Sequence, residues 1–191
     1  MIVAQDTVIR VNPGVWWVDF DLIYDGNGAH DNFALVGDGP CSRIVLRNNA
    51  KIVLRNLGRW SVSDIQIVKA SGSTPIDHML ILDNVSWGSM HNVLLDGFGL
   101  AAGIAAIKCG GNKFSDLTIL DVSGLSASVR GIGMLFDQRL GSLDNKIHNV
   151  IMHPFSSGVG DSMLCILGET AGFFITNLDT NPPAGAWAID I

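Results

Sequence analysis

Between Trp60 and Asn181 one six-residue phrase returns five times: Val62–Ile67, Met90–Leu95, Phe114–Ile119, Ile147–Met152 and Ile175–Thr180. Each copy reads apolar, small polar or His, Asp or Asn, apolar, variable, apolar, with Thr180 the exception at the last position. The third positions, Asp64, Asn92, Asp116, Asn149 and Asn177, stand 28, 24, 33 and 28 residues apart. Alternation of this kind is a strand signal. A strand phrase recurring at such a spacing belongs to a repeat that cannot bury its apolar face alone and must stack on its neighbours.

A second series keeps step with the first. Leu80–Leu82, Ala105–Ile107, Met134–Phe136, Leu164–Ile166 and Trp187–Ile189 have last residues 25, 29, 30 and 23 positions apart. Two aligned strands per repeat describe the coils of an all-β, right-handed parallel β-helix, a solenoid of five to seven coils rising about 4.8 Å each. The Asp/Asn column then lies at a corner, because these residues tolerate the left-handed backbone of a tight turn and stacked amides bond from coil to coil. The 191 residues form one domain, 1–40 giving entry strands and a first coil and 41–191 the regular coils, truncated at the C-terminal end. Ending just after the strand-like Trp187–Asp190, the chain is expected to be a fragment, or to be capped by a partner.

The 22 glycines, with 48% hydrophobic and 16% charged residues, suit many tight corners around a dry interior. A net charge of −6 without a basic cluster excludes nucleic acid and anionic membrane as expected partners. Cys41, Cys109 and Cys165 are an odd, scattered set beside apolar runs, pointing to buried structural thiols rather than disulfides or zinc. No metal and no cofactor is expected. Met1–Asp6 carries no signal-peptide pattern, and no run reaches the roughly 18 apolar residues of a membrane span.

Asn12–Gly14 and Asp25–Gly28 read as turns flanking a strand over Val15–Ile23. Arg43–Asn48 and Lys51–Asn56 are near copies eight residues apart, too close for a whole coil, and read as consecutive sides of one coil with Asn48–Asn49 as the corner. No helical period appears. Leu100–Ala106 and Leu140–Lys146 are the least strand-like stretches and are expected to leave the coil.

The segment Leu35-Val-Gly-Asp-Gly-Pro-Cys-Ser-Arg-Ile-Val45, preceded by Asn-Pro-Gly-Val-Trp and followed by coils, resembles the opening of the pectate-lyase-like right-handed β-helix superfamily. The resemblance is greatest to bacteriophage tailspikes and related polysaccharide depolymerases. It implies a homotrimeric virion-tail or extracellular protein that binds bacterial surface polysaccharide, with or without cleaving it, alongside other tail proteins. If an enzyme, it would be a glycoside hydrolase or polysaccharide lyase. The alternatives are a purely structural β-helical segment of a tail or appendage, and a secreted polysaccharide lyase or hydrolase. The lyase pattern of calcium-binding Asp residues and an Arg base has no counterpart here, so no residue takes a catalytic role from the resemblance.

The phrase periodicity places Ile65, Val93, Leu117, Val150 and Leu178 inward and Gln66, Leu94, Thr118, Ile151 and Asp179 outward. In the second series Ile81, Ala106, Leu135, Cys165 and Ala188 are expected outward, leaving an apolar outer face that fits a three-fold assembly. One outward column, Asp83–Lys108–Asp137, offers two carboxylates two coils apart, about 9–10 Å, near the separation used by inverting glycosidases. Asp83 and Asp137 are therefore the candidate catalytic residues, with Lys108 and the corner indole Trp87 as candidate substrate contacts. His91 and His148 share a column with Ser63, Ser115 and Thr176, too far apart for one metal ion, and read as corner hydrogen-bonding groups.

Overall fold

The computed structural model describes residues 6–123, 132–139, 144–156, 162–168, 172–182 and 187–191. In chain order the strands are β1 (Asp6–Val11), β2 (Gly14–Val18), β3 (Leu22–Gly37), β4 (Ser42–Leu46), β5 (Ile52–Lys69), β6 (Ile76–Val85) and β7 (Ser89–Asp96). There follow β8 (Ala101–Ile107), β9 (Lys113–Ser123), β10 (Met134–Gln138), β11 (Lys146–Ser156), β12 (Ser162–Gly168), β13 (Phe174–Thr180) and β14 (Trp187–Asp190). Every strand pair is parallel, and the chain winds into an all-β solenoid of about six turns.

Each coil has three sides. The first stacks β1 on the later half of β3, the middle of β5, and the opening residues of β7, β9, β11 and β13. The second stacks β2, β4, the end of β5 and the closing residues of the same four strands. The third stacks the start of β3, the start of β5, β6, β8, β10, β12 and β14. The near copies Arg43–Asn48 and Lys51–Asn56 are consecutive sides joined at Asn48 (φ 51°), as their spacing requires.

The corner between first and second sides explains the Asp/Asn phrase. Asp64, Asn92, Asp116, Asn149 and Asn177 all have φ between 51° and 56°. Asn92 Nδ2 donates to Asp64 Oδ1 at 2.7 Å, Asn149 Nδ2 to Asp116 Oδ1 at 2.6 Å and Asn177 Nδ2 to Asn149 Oδ1 at 2.8 Å. The residue type meets two needs together: it lowers the roughly 1–2 kcal/mol cost of a left-handed backbone, and its side chain bonds to the next coil.

Inside, the apolar columns meet. Ile67, Leu95, Ile119 and Met152 line the second side, and Leu82, Ala106, Phe136 and Ile166 the third, all buried. Aromatic rings climb the axis: Trp60 to Phe114 at 6.0 Å, Phe114 to Phe136 at 5.3 Å edge-on, and Phe136 to Phe173 at 5.1 Å edge-on. Edge-on contacts at these separations favour ring quadrupoles as well as burying area. Among the described residues one lysine enters this interior: Lys69 is buried, donates to the Asn48 carbonyl, and has its pKa pushed down by desolvation.

Three expectations need correction. Leu100–Ala106 does not leave the coil, since Ala101–Ile107 is strand β8; its Ala and Gly content reflects close packing, and a Cβ on Gly103 would stand 2.3 Å from the Gly133 carbonyl oxygen. Val15–Ile23 is not one strand but breaks at residues 19–21, where the chain turns from β2 into β3. Cys41 is exposed, whereas Cys109 and Cys165 are buried. The stretch 140–143 lies outside the described residues.

Candidate functional site

All four residues singled out for chemistry fall on or beside one edge of the solenoid, the corner between its third and first sides. The last outward position of the third side forms the column Asp25, Arg55, Asp83, Ile107, Asp137 and Leu167. Asp83 and Asp137 are thus in register two coils apart, about 9–10 Å between backbones. Lys108 does not stand between them. Ile107 does, half-buried and outward, because Ala106 rather than Ile107 pairs with Leu82 and Phe136. The three-residue apolar run Ala105–Ile107 has no alternation to fix its phase, and the smaller Ala106 takes the inward place. The same slip puts Ala105, not Ala106, outward, and at β14 the outward partner of Cys165 is Asp190, not Ala188.

Lys108 is instead the corner residue (φ 54°), following Asn56 and Asn84 (both φ 55°) in a second left-handed column. This column has its own ladder, with Asn84 Nδ2 donating to Asn56 Oδ1 at 2.9 Å and Asn56 Nδ2 to Asp25 Oδ1 at 2.8 Å. Arg55 Nε donates to the other Asp25 oxygen at 2.7 Å. The Asn56 amide first, then Arg55, holds the Asp25 carboxyl below the usual carboxylate range.

Asp137 is gripped by Arg139, whose Nε and Nη2 donate to its two oxygens at 2.9 and 2.6 Å. That bidentate clamp lowers the Asp137 pKa, which fits a carboxylate that holds charge or accepts a proton and opposes a general acid. The pair is in register two coils apart, but Asp137 is not suited to be the acid of an inverting dyad.

Trp87 occupies the same edge in a conformation rare for a bulky residue. Its φ is 52°, its indole is 72% exposed, and it lies against Gly111, where an added Cβ would come within 2.7 Å of the ring. Its backbone N–H donates to the Gly110 carbonyl at 3.1 Å. A large aromatic held at a left-handed corner, backed by glycine and facing solvent, is locally strained and positioned as a flat platform.

Beneath this edge runs a buried amide network that the sequence reading missed. Asn112 Oδ1 accepts from Trp60 Nε1 at 3.0 Å and from the Gly88 N–H at 2.9 Å. Asn145 Oδ1 accepts from Asn112 Nδ2 at 3.1 Å, and Asn145 Nδ2 donates to the Cys109 carbonyl at 2.8 Å. The signal was present: Asn112 and Asn145 each stand four residues before a corner Asp or Asn and just before a lysine. Burial also pushes the neighbouring Cys109 thiol up to about 12, so it is inert at neutral pH.

On the first side, Ser63, His91, Ser115, His148 and Thr176 form the column the phrase implied. His148 Nδ1 and Thr176 Oγ1 are hydrogen-bonded at 2.8 Å, and His91 Nε2 lies 4.0 Å from Asp64 Oδ2. On the second side the outward column is Gln66, Leu94, Thr118, Ile151 and Asp179; Leu94 is half-buried and Ile151 37% exposed. Outward Ala105 and Cys165 on the third side are buried within the chain itself.

Comparison with protein-family models, curated proteins and solved structures gives no match. The chain's nature rests on its parallel β-solenoid architecture.

Proposed function

We propose that this chain is a polysaccharide-binding β-helix of the bacteriophage tailspike type, resembling the pectate-lyase-like superfamily, that engages a bacterial surface glycan along the edge carrying Asp83, Trp87, Lys108 and Asp137. The observation that carries the reading is Trp87, exposed and strained at a glycine-backed corner, where no packing need explains an indole. Stacking of its ring on the apolar face of a sugar supplies that explanation. The amides, carboxylates and guanidinium of the adjoining columns supply donors and acceptors along the same axis. Arg139 suits Asp137 to hold charge or accept a proton, so cleavage would require Asp83 as the acid, whereas binding requires neither role. A virion-tail setting and a three-fold assembly about the Leu94–Ile151 face belong to the same proposal.

Immobilised capsular or lipopolysaccharide glycans provide the test. Trp87→Ala should weaken binding at least about tenfold without lowering the melting temperature, since stacking contacts of this kind are worth on the order of 1–1.5 kcal/mol or more. Unaltered binding would remove Trp87 from the site. Release of reducing ends that persists in the wild type and vanishes in Asp83→Asn and Asp137→Asn would convert the reading to a depolymerase.

A second reading, a non-catalytic spacer, is favoured by exposed apolar residues at both ends of the solenoid, Trp16, Trp17 and Phe20 at one and Phe174, Trp187 and Ile189 at the other. It predicts no glycan affinity in any assay.

A further inference from the structure

Just past the same edge, the first outward positions of the first side bring together residues far apart in sequence. Ser89, Lys113, Lys146 and Phe174 are Cα partners on four successive coils. Lys113 and Lys146, 33 residues apart, therefore stand directly over one another at about 4.8 Å between backbones. Both are exposed, and among the described residues neither has a carboxylate within ion-pair distance. Asp116, on the same strand as Lys113, has its Oδ1 engaged by the Asn149 amide and lies near enough for the Lys113 charge to help lower its pKa.

Like charges in direct register repel, and an anion that bridges them relieves the repulsion. A hollow of about 250 Å³ adjoins the pair, lined by Lys113, Lys146, Ile147, His148, Phe174 and Thr176. Phe174, 62% exposed, forms its apolar wall on the coil beyond Lys146. The His148–Thr176 hydrogen bond fixes an imidazole and a hydroxyl on the polar side. At the opposite end lies Trp87, two residues before Ser89 and packed on Gly111, two residues before Lys113. Along the axis the order is aromatic, cation, cation, aromatic.

We propose that Lys113 and Lys146 form an oxyanion site for an acidic sugar, one bearing a carboxylate or sulfate, whose anionic group bridges the two ammonium groups while ring faces rest on Phe174 and Trp87. This inference rests on the glycan-binding reading for its ligand, and it adds that the glycan is anionic. The chemistry is that of paired charge-assisted hydrogen bonds to a single oxyanion, with aromatic surfaces reading the uncharged part.

The experiment is titration of the purified chain with a uronate-containing hexasaccharide, with its carboxyl-reduced neutral counterpart, and with inorganic sulfate. The probes are calorimetry and NMR of the Lys113 and Lys146 amides. The acidic chain should bind at least about tenfold more tightly than the reduced one, with affinity falling as salt rises. The double variant Lys113→Met/Lys146→Met should abolish that preference, leave the neutral chain's affinity unchanged, and melt no lower than wild type because a repulsion is relieved. Equal binding of acidic and reduced chains, or an unaltered preference in the double variant, overturns the oxyanion site while the glycan reading stands. Sulfate shifts at Lys113 and Lys146 without affinity for either oligosaccharide uphold the anion site and overturn the sugar. No response to any of the three overturns both.

Discussion

Of the side-chain amide ladders on this solenoid, the one along the Asp64 corner and the one buried beneath the Trp87 edge differ in what they contribute. The surface ladder, bonded as Asp64–Asn92 and as Asp116–Asn149–Asn177, sits at exposed left-handed corners where water competes for every bond. The interior network of Asn112 and Asn145 ties Trp60, Gly88 and Cys109 together where no water competes. Hydrogen bonds of the same chemistry are modest at the surface, yet an interior partner left unpaired loses its full solvation. The outer ladder therefore shapes the corner, and the inner one holds neighbouring coils in a single arrangement.

The largest effect expected from this contrast is at Asn112. Asn112→Leu keeps the branched side-chain shape but orphans the Trp60 indole N–H and the Gly88 N–H, and should cost about 3 kcal/mol or more in denaturant unfolding. A loss under about 1 kcal/mol would mean that the interior network is no stronger than the surface one.

Asn149 comes next. Asn149→Ala removes the amide bonds to Asp116 and Asn177 and places a Cβ without side-chain help at φ 52°, for about 1–2 kcal/mol. Asn149→Gly removes the bonds alone and should recover about half of that. Equal losses in the two variants would show that backbone conformation contributes nothing at the corner.

The smallest effect is in acid. In Asp64 and Asp116 the carboxyl pKa is lowered, chiefly by the donated amides of Asn92 and Asn149. Folding lowers these values, so the stabilisation is complete above the unfolded carboxylate's pKa of about 3.9 and is lost as pH falls below it through the folded pKa. The double variant Asp64→Asn/Asp116→Asn should stay close to wild type in stability at pH 7 and show a shallower decline below about pH 4. An unchanged acid limb would remove the carboxylates from the ladder's energetics.

The fold was legible because the corner demands both a backbone conformation and a side-chain bond, and only Asp and Asn supply both well. One residue class therefore recurs, and it anchors the flanking alternation that put Ile65 inward and Gln66 outward. The second series lacked such an anchor at the third coil. With Ala105, Ala106 and Ile107 all apolar, sequence alternation could not decide the phase, and Lys108 was placed one position from its true corner. A column through Asn56 and Asn84 was the anchor that would have corrected it. The Lys113–Lys146 stack was illegible for another reason: no basic cluster exists in the linear chain, and stacking alone makes one. Trp87 was visible as a corner aromatic, but its left-handed strain and its glycine backing are three-dimensional facts.

Vertical stacking is tested most directly by spin-label distances along one outward column, Val15, Arg43, Gln66, Leu94, Thr118, Ile151 and Asp179, in which each residue is the Cα partner of the next. In a Cys41→Ser background, one label at Val15 and a second at Thr118, Ile151 or Asp179 should give separations near 19, 24 and 29 Å, rising by about one strand spacing per coil. Separations that fail to rise in equal steps, or that coincide for two of the three pairs, would contradict the stacked solenoid and every assignment of side, edge and site built on it.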